Sequence, residues 1–261
     1  MWDPAAYRRF GAERARPFFD LVAQIQAKSP RTVVDLGCGP GELTVALAER
    51  WPHARVTGVD SSPEMIERAT ALGADVDFRV GDLRDWRPGP DTDVLVTNAA
   101  LQWVPGHADL LERWVRELPA RAWLAMQVPG NFGAPSHRAL REVARDERYA
   151  GRLPMLLRVA PVLDPVEYAA RLTALGATVD AWETTYVHLL PTCRDEHPVL
   201  RWMDGTALRP VRAALDPAEF RAFCAALEER LASAYPESHG VVPYPFRRIF
   251  VVARTTVEDR P

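Results

Sequence analysis

Lysine is nearly missing from this chain: Lys28 stands alone against 31 arginines. GC-rich codon usage is the plain reading of that bias. Arginine is also the better side chain for holding a carboxylate with two parallel bonds. Cysteine is scarce too. Cys38, Cys193 and Cys224 are far apart and unmatched in spacing, which excludes a disulfide framework or a zinc site and points to free thiols in a reducing compartment. No apolar run approaches the roughly 20 residues that a membrane helix needs. Met1-Trp2-Asp3-Pro4 lacks the basic-then-apolar pattern of a secretory leader, so a cytoplasmic protein with no membrane partner is expected. Excess positive charge is absent as well: the formal net charge is −3, and no basic field favours nucleic acid. No internal repeat or low-complexity segment is present.

What is present suits a globular α/β protein. The 261 residues are 48% hydrophobic and 26% charged, enough for one large domain or one domain with a sizeable insertion. From Thr32 to Met126 short β-branched runs alternate with helical stretches. Thr32–Leu36, Arg55–Val59, Val76–Val80, Asp93–Thr97 and Trp123–Val128 read as strands. Gly41–Arg50, Pro63–Leu72 and Ala108–Leu118 read as helices. That rhythm implies right-handed crossovers and a parallel, doubly wound sheet. After Val128 it breaks. Pro129–Leu163 is rich in Arg, Gly and Pro, with a helix expected over Ser136–Arg148. Its arginines at 138, 141, 145, 148 and 152 interleave with Glu142, Asp146 and Glu147 and read as a solvated face. Pro165–Leu175 and Thr178–Leu190 restore a helix–strand unit. Pro191–Pro245 is a second excursion, with helices near Pro198–Gly205 and Pro217–Ala234, and the chain closes on a strand, Arg247–Arg254. The expected organisation is a single domain, residues 1–261. Its core is about 30–128, 164–190 and 246–255, and helical cap insertions cover about 129–163 and 191–245.

The densest motif is Val33-Val34-Asp35-Leu36-Gly37-Cys38-Gly39-Pro40-Gly41. A strand enters a turn holding Gly37, Gly39 and Gly41, and a helix opens at once. Such a turn brings backbone close to a ligand and offers the free N–H groups of a helix start. A dinucleotide fingerprint needs G-x-G-x-x-G, but position 42 is Glu42, whose charge repels a pyrophosphate. The loop instead suits a ligand without phosphates, such as the amino-acid end of S-adenosylmethionine. Asp60, about 20 residues on with Ser61 beside it, ends the second strand where a carboxylate accepts bonds from ribose hydroxyls. Asp82 follows the third strand, placed for an adenine amino group, with Leu83 as an apolar wall and Met65 for the adenine face. Helix capping is the other reading of Asp60 and Asp82.

With these residues in place the chain resembles the class I methyltransferases over residues 30 to 128. The resemblance implies a Rossmann-like, mostly parallel seven-stranded sheet of order 3-2-1-4-5-7-6 with the last strand antiparallel. It also implies that Asn98 sits beside the methionine part of the cofactor. A finer likeness runs over nearly the whole chain. Trp2-Asp3-Pro4-x-x-Tyr7-x-x-Phe10, Arg14-x-Arg16-Pro17, Asp60-Ser61-Ser62-Pro63-x-Met65-Ile66 and Asn98-Ala99-Ala100-Leu101-Gln102-Trp103 resemble the trans-aconitate methyltransferases. So do Trp182-x-Thr184-Thr185-Tyr186-x-His188, Leu208-Arg209-Pro210 and Pro245-Phe246-Arg247-Arg248-x-Phe250-x-Val252-Ala253. That family esterifies one carboxylate of a small tricarboxylic acid.

Ligands of open α/β sheets bind at the carboxyl ends of the strands. Gln127–Asn131, with Asn131 at its end, falls on that edge, as do Tyr186 and His188 and the expected start of the last strand, Arg247-Arg248. Arg209 lies in the insertion between those two strands. Arginines converging there suit a small di- or tricarboxylate. Alternation sends Arg247 and Arg248 to opposite faces, with no basis for choosing between them. Arg209 is equally a surface residue, His188 a base or a structural ring, and Trp103 a packing residue or a pocket wall; Gln102 joins the substrate candidates. Tyr7 and Arg14 fold over the cofactor or make a plain helix contact. A carboxylate is ionised at neutral pH, so positioning suffices, and neither a catalytic base nor a metal is expected. The rivals are a small-molecule O- or N-methyltransferase of specialised metabolism and a cofactor-binding protein without catalysis. A nucleic-acid enzyme is disfavoured, because Asn98-Ala99-Ala100-Leu101 stands where an N-P-P-Y-like stretch would be.

Overall fold

The β-branched runs of the first half pair as parallel strands, of which Thr32–Leu36, Thr92–Asn98 and Trp123–Pro129 are buried on both faces. The computed structural model describes residues 11–149, 151–158 and 161–256. Its strands are β1 (Thr32–Leu36), β2 (Arg55–Asp60), β3 (Asp77–Val80), β4 (Thr92–Asn98), β5 (Trp123–Pro129), β6 (Thr178–Pro191) and β7 (Val241–Arg254). They form a seven-stranded sheet of order β3-β2-β1-β4-β5-β7-β6. β1 through β5 pair in parallel and β7 runs antiparallel to β5. This is the doubly wound fold that the resemblance implied. Strand order reverses between β1 and β4, which places the switch point of the sheet at the ends of those strands.

By its contacts the chain divides into two compact units. One holds Ala15–Pro129, Val162–Thr184 and Arg248–Pro261. On one sheet face Leu36, Leu95, Leu124, Met126, Ile249 and Val251 pack with Leu111 and Trp114 of the helix His107–Glu117 and with Tyr168 and Leu172 of the helix Pro165–Thr173. Trp114 is fully buried, and a side chain of that size contributes about 1.5–3 kcal/mol by leaving water. The helices Glu42–Arg50 and Pro63–Thr70 lie against β2 and β3. The helix Gly11–Val22 carries Pro17 inside it. Proline removes one ladder bond there, yet Phe18, Leu21 and Val22 are buried at helical spacing and hold the helix.

The other unit, whose described residues lie within 11–14, Gly130–Pro161 and Thr185–Arg247, has its own apolar core of Leu140, Val143, Trp202, Phe223, Leu227 and Tyr244. Its longest helix, Pro217–Ala234, starts on a reciprocal cap. Asp216 accepts from the Ala218 and Glu219 amides, and Glu219 accepts from the Asp216 amide at 3.0 Å. Arg152 then holds Glu219 at 2.7 Å.

Three expectations are corrected. The helix expected over Ser136–Arg148 runs Pro135–Ala144 and gives way to a 3₁₀ turn at Glu147–Tyr149. Its arginine face is not wholly solvated: Arg141 is buried and donates through Nη1 to the Phe132 carbonyl at 2.7 Å. β7 begins at Val241, six residues before the expected start. Arg209–Ala214 is a further short helix; proline is favoured in a first turn, where its missing N–H costs nothing.

Candidate functional site

β1 ends at Leu36, and the next residues turn sharply. Gly37 and Cys38 both donate to the Val59 carbonyl, at 2.8 and 3.1 Å, which stitches the turn to β2. Gly37, Gly39 and Gly41 all have positive φ, at 78°, 55° and 88°, but their surroundings differ. A Cβ on Gly37 would stand 2.4 Å from the Ala100 Cβ, and one on Gly41 would stand 2.7 Å from the Ala69 Cβ. A Cβ on Gly39 would meet nothing within 4 Å. Packing therefore requires glycine at 37 and 41, whereas Gly39 presents bare backbone to open space. Gly41 is the first boundary residue of the helix Glu42–Arg50 and brings no side-chain cap.

Asp60 closes β2 and is half-buried. Its Oδ2 accepts from the Gly39 amide at 2.9 Å and its Oδ1 from the Ser62 amide at 2.9 Å. The helix Pro63–Thr70 is capped by Ser62, whose Oγ accepts from the Met65 amide at 3.3 Å. Capping is thus done by Ser62, and Asp60 orders the glycine turn. A carboxylate has about four acceptor positions, so Asp60 keeps capacity for further donors. Ser61 beside it is exposed, and Met65 is buried. Asp35, on β1, is buried and accepts from the Thr44 hydroxyl at 2.7 Å. Burial pushes its carboxyl up to about 6, against the pull of the Thr44 bond, and the nearby Asp60 charge adds to the rise.

Beyond β3, Asp82 is clasped by its own chain. Arg84 donates to it from its side chain, at 2.5 Å from Nη2, and from its amide at 2.8 Å. These bonds hold the carboxyl below its ordinary range. Leu83 is half-buried against the core. At the end of β4, Ala99 adopts a left-handed φ of 53°, a strained choice for a residue with a Cβ. Its amide donates to the Gln127 carbonyl at 2.9 Å, and its carbonyl accepts from Gln102 Nε2 at 2.6 Å. Asn98 Oδ1 is buried with no hydrogen-bond partner. Trp103, on the turn Leu101–Trp103, is 44% exposed.

The remaining candidates sort themselves by burial. Arg248 is buried and Arg247 half-buried. Although β7 starts earlier than expected, Arg248 pairs with Pro129 at the carboxyl end of β5. Asn131 is buried and satisfied within its unit: Nδ2 donates to the Tyr244 hydroxyl at 3.3 Å and Oδ1 accepts from the Arg247 amide at 3.1 Å. His188 is buried, its ring stacked on Trp202 with centroids 4.4 Å apart and 6.4 Å from Tyr186. Arg209 is exposed at the first turn of its helix. Tyr7 lies outside the described residues, as does the side chain of Arg14. Among the described residues no group of His, Cys, Asp and Glu is placed to hold a metal.

Two polar groups stand outside the candidate residues of the sequence, the buried Gln127 and the half-buried His137. Gln127 is 1% exposed and neither atom of its carboxamide has a partner. The signal was an amide inside the otherwise apolar run Trp123–Val128, since a polar group in a doubly buried strand requires a partner. His137 carried no signal at all. Burial, with Arg141 adding to it, pushes its imidazole down to about 4.

A parallel sheet with a glycine turn at its switch point and a carboxylate ending the next strand defines a nucleotide-binding α/β protein. Residues 33–119 match the methyltransferase domain family. Solved structures of the same fold include the YcgJ protein of Bacillus subtilis, with a TM-score of 0.59 and 14% identity, covering 93% of this chain and 99% of that one. Another is Haemonchus contortus phosphoethanolamine N-methyltransferase 2 in complex with S-adenosyl-L-methionine. It has a TM-score of 0.54 and 14% identity, covering 92% of this chain and 52% of that one. Sequence goes further. The trans-aconitate 2-methyltransferase of Rhodococcus jostii is 54% identical, over 97% of this chain and 99% of that one. Those of Streptomyces coelicolor and Mycobacterium tuberculosis are 52% and 50% identical over 97% of this chain, covering 86% and 96% of theirs. The chain belongs to the trans-aconitate 2-methyltransferase family.

Proposed function

We propose that this chain transfers the methyl group of S-adenosylmethionine to a carboxylate of a small tricarboxylic acid, trans-aconitate. The observation that carries the reading is the end-to-end identity of 54% with a trans-aconitate 2-methyltransferase. The first unit supports the cofactor half. Gly39 offers backbone to open space, Asp60 retains acceptor capacity for ribose hydroxyls, and Asn98 Oδ1 is an acceptor in want of a donor. Such a set fits an adenosyl group carrying an amino acid. Asp35, Gly37, Gly41, Ser61 and Met65 form its surroundings, and Asp82 and Leu83 stand at the adenine end. The acid half is supported by Arg248, a buried guanidinium at the carboxyl edge of β5.

When bound, the cofactor supplies an electrophilic methyl on a sulfonium. A carboxylate oxygen held beside Arg248 would take that methyl, the C–S bond breaking with its electron pair left on sulfur. An unperturbed carboxyl has a pKa near 4 and is ionised at neutral pH, so the chain has no proton to remove. Its residues need only hold the acid in line and shed water from the attacking oxygen. The reading implies a cytoplasmic enzyme acting on a free acid and not on a nucleic acid. The net charge of −3 agrees with that, and no helix among the described residues is long and apolar enough to cross a membrane.

Labelled methyl transfer to trans-aconitate, run beside other di- and tricarboxylates, phenols and amines, tests it. Transfer to the acids supports the reading; transfer to phenols or amines alone, or to nothing, ends it.

A further inference from the structure

A buried amide with both ends unmet costs free energy unless a ligand completes it. Gln127 is such a group: 1% exposed, with Oε1 and Nε2 both unpartnered. It belongs to a row. In the ladder, Asn98 pairs with Gln127 across β4 and β5, and Gln127 pairs with Phe250 across β5 and β7. Paired residues share a sheet face, and so do residues two apart along a strand. Asn98, Gln127, Phe250 and Arg248 therefore occupy one face at the carboxyl edge. Arg248, opposite Pro129, is the diagonal neighbour of Gln127, about 7–8 Å away and within reach of long side chains. The stacking of Phe250 on Trp182, with centroids 4.9 Å apart and planes 5° from parallel, closes the far side of the row with apolar surface.

We propose that Gln127 is a substrate-binding, specificity-determining residue whose carboxamide N–H donates to a non-reacting carboxylate of the acid beside the Arg248 guanidinium. The inference rests on the methyl-transfer reading above and deepens it. The neighbours set the polarity. A cation on one side favours an anion, and the amide adds a neutral donor that does not neutralise it. Because the amide is already stripped of water, a carboxylate reaching it replaces an unmet donor by a charge-assisted bond, which is stronger than one at the surface. An acid with a carboxylate at that spacing is favoured over a monoacid that leaves Gln127 unmet, which is discrimination by an unfilled polar partner.

The test compares wild type, Gln127→Met and Gln127→Glu by steady-state kinetics with trans-aconitate, calorimetry with S-adenosylhomocysteine, and thermal melting. Met conserves length and removes the polar atoms. Gln127→Met is expected to melt at or above the wild-type temperature while its KM for the acid rises roughly ten- to hundred-fold. Gln127→Glu is expected to raise KM further, because a carboxylate then faces a carboxylate. Affinity for S-adenosylhomocysteine should stay at the wild-type level in both variants. An unchanged KM in Gln127→Met overturns the proposal and leaves an amide of structural role only. Tighter S-adenosylhomocysteine binding by Gln127→Glu with KM unchanged also overturns it, and assigns the amide to the ammonium of the cofactor. Should wild type methylate no acid, the parent reading falls with it. Should wild type methylate trans-aconitate and Gln127→Met match it, this proposal alone falls.

Discussion

The carboxylate of Asp60 accepts a hydrogen bond from the Gly39 amide across 2.9 Å, tying the end of β2 to the one glycine of the turn that faces open space. One side chain thereby both orders the turn and offers acceptors to a ligand lying on it.

Asp60→Ala should therefore weaken cofactor binding by more than a single lost contact. Each charge-assisted bond is worth about 1.5–3 kcal/mol, and the turn also loses its anchor. The expected result is at least a ten-fold rise in the calorimetric Kd for S-adenosylhomocysteine, together with a lower melting temperature from the two lost amide bonds. An unaltered Kd would leave Asp60 as an anchor of the turn and nothing more.

The glycines separate by the same logic. Gly41→Ala places a methyl 2.7 Å from Ala69 Cβ at a φ of 88°, so overpacking of about 1–3 kcal/mol adds to strain of about 1–2 kcal/mol, roughly 2–5 kcal/mol of stability together. Gly39→Ala meets no neighbour within 4 Å and carries only the penalty of its positive φ, about 1–2 kcal/mol. Melting curves should rank Gly41→Ala below Gly39→Ala. Calorimetry should show the larger loss of cofactor affinity in the Gly39 variant relative to its loss of stability.

How much of this was legible follows from which physics each element obeys. β1 through β5 were legible because β-branched runs broken by helical stretches admit few arrangements. The start of β7 is not, because Pro243 and Pro245 lie at the end of the excursion Pro191–Pro245 and lack the N–H that a ladder uses. Its ladder with β5 ends at Arg248, so upstream of that point the strand has an edge on which proline can be tolerated. Arg141 was misread since charge spacing alone does not reveal the Phe132 carbonyl that draws it inward. The glycine turn was visible as a ligand loop, yet only three-dimensional neighbours separate Gly39 from Gly37 and Gly41. Gln127 stands on the right edge within Gln127–Asn131, but its missing partner is invisible until the whole neighbourhood is assembled.

Arg248→Gln should raise the KM for trans-aconitate by roughly ten- to hundred-fold, the range expected for losing a charge-assisted contact. The Kd for S-adenosylhomocysteine should hold. Equal losses in both measurements would mean that this buried guanidinium supports the fold instead of the acid. The Gln is long enough to fill most of the space, so a large fall in melting temperature would point the same way.

The buried Asp35 and the half-buried His137 should give opposed pH dependences. Asp35 is raised from an ordinary 3.8 to about 6, so between those values the folded protein binds its proton more tightly than the unfolded chain. Stability from this group falls as pH rises from about 4 to 6, by up to roughly 3 kcal/mol at 1.36 kcal/mol per unit. His137 is lowered from 6.5 to about 4; here the unfolded chain binds the proton more tightly, and stability is lost as pH falls through the same interval. Near pH 5 the two nearly cancel, and the wild-type curve should be flat. Removing one should expose the other. In denaturant titrations from pH 4 to 6.5, Asp35→Asn should leave a net gain of stability with rising pH, whereas His137→Gln should leave a net loss. Parallel curves for the two variants would show that neither group is held as its burial implies.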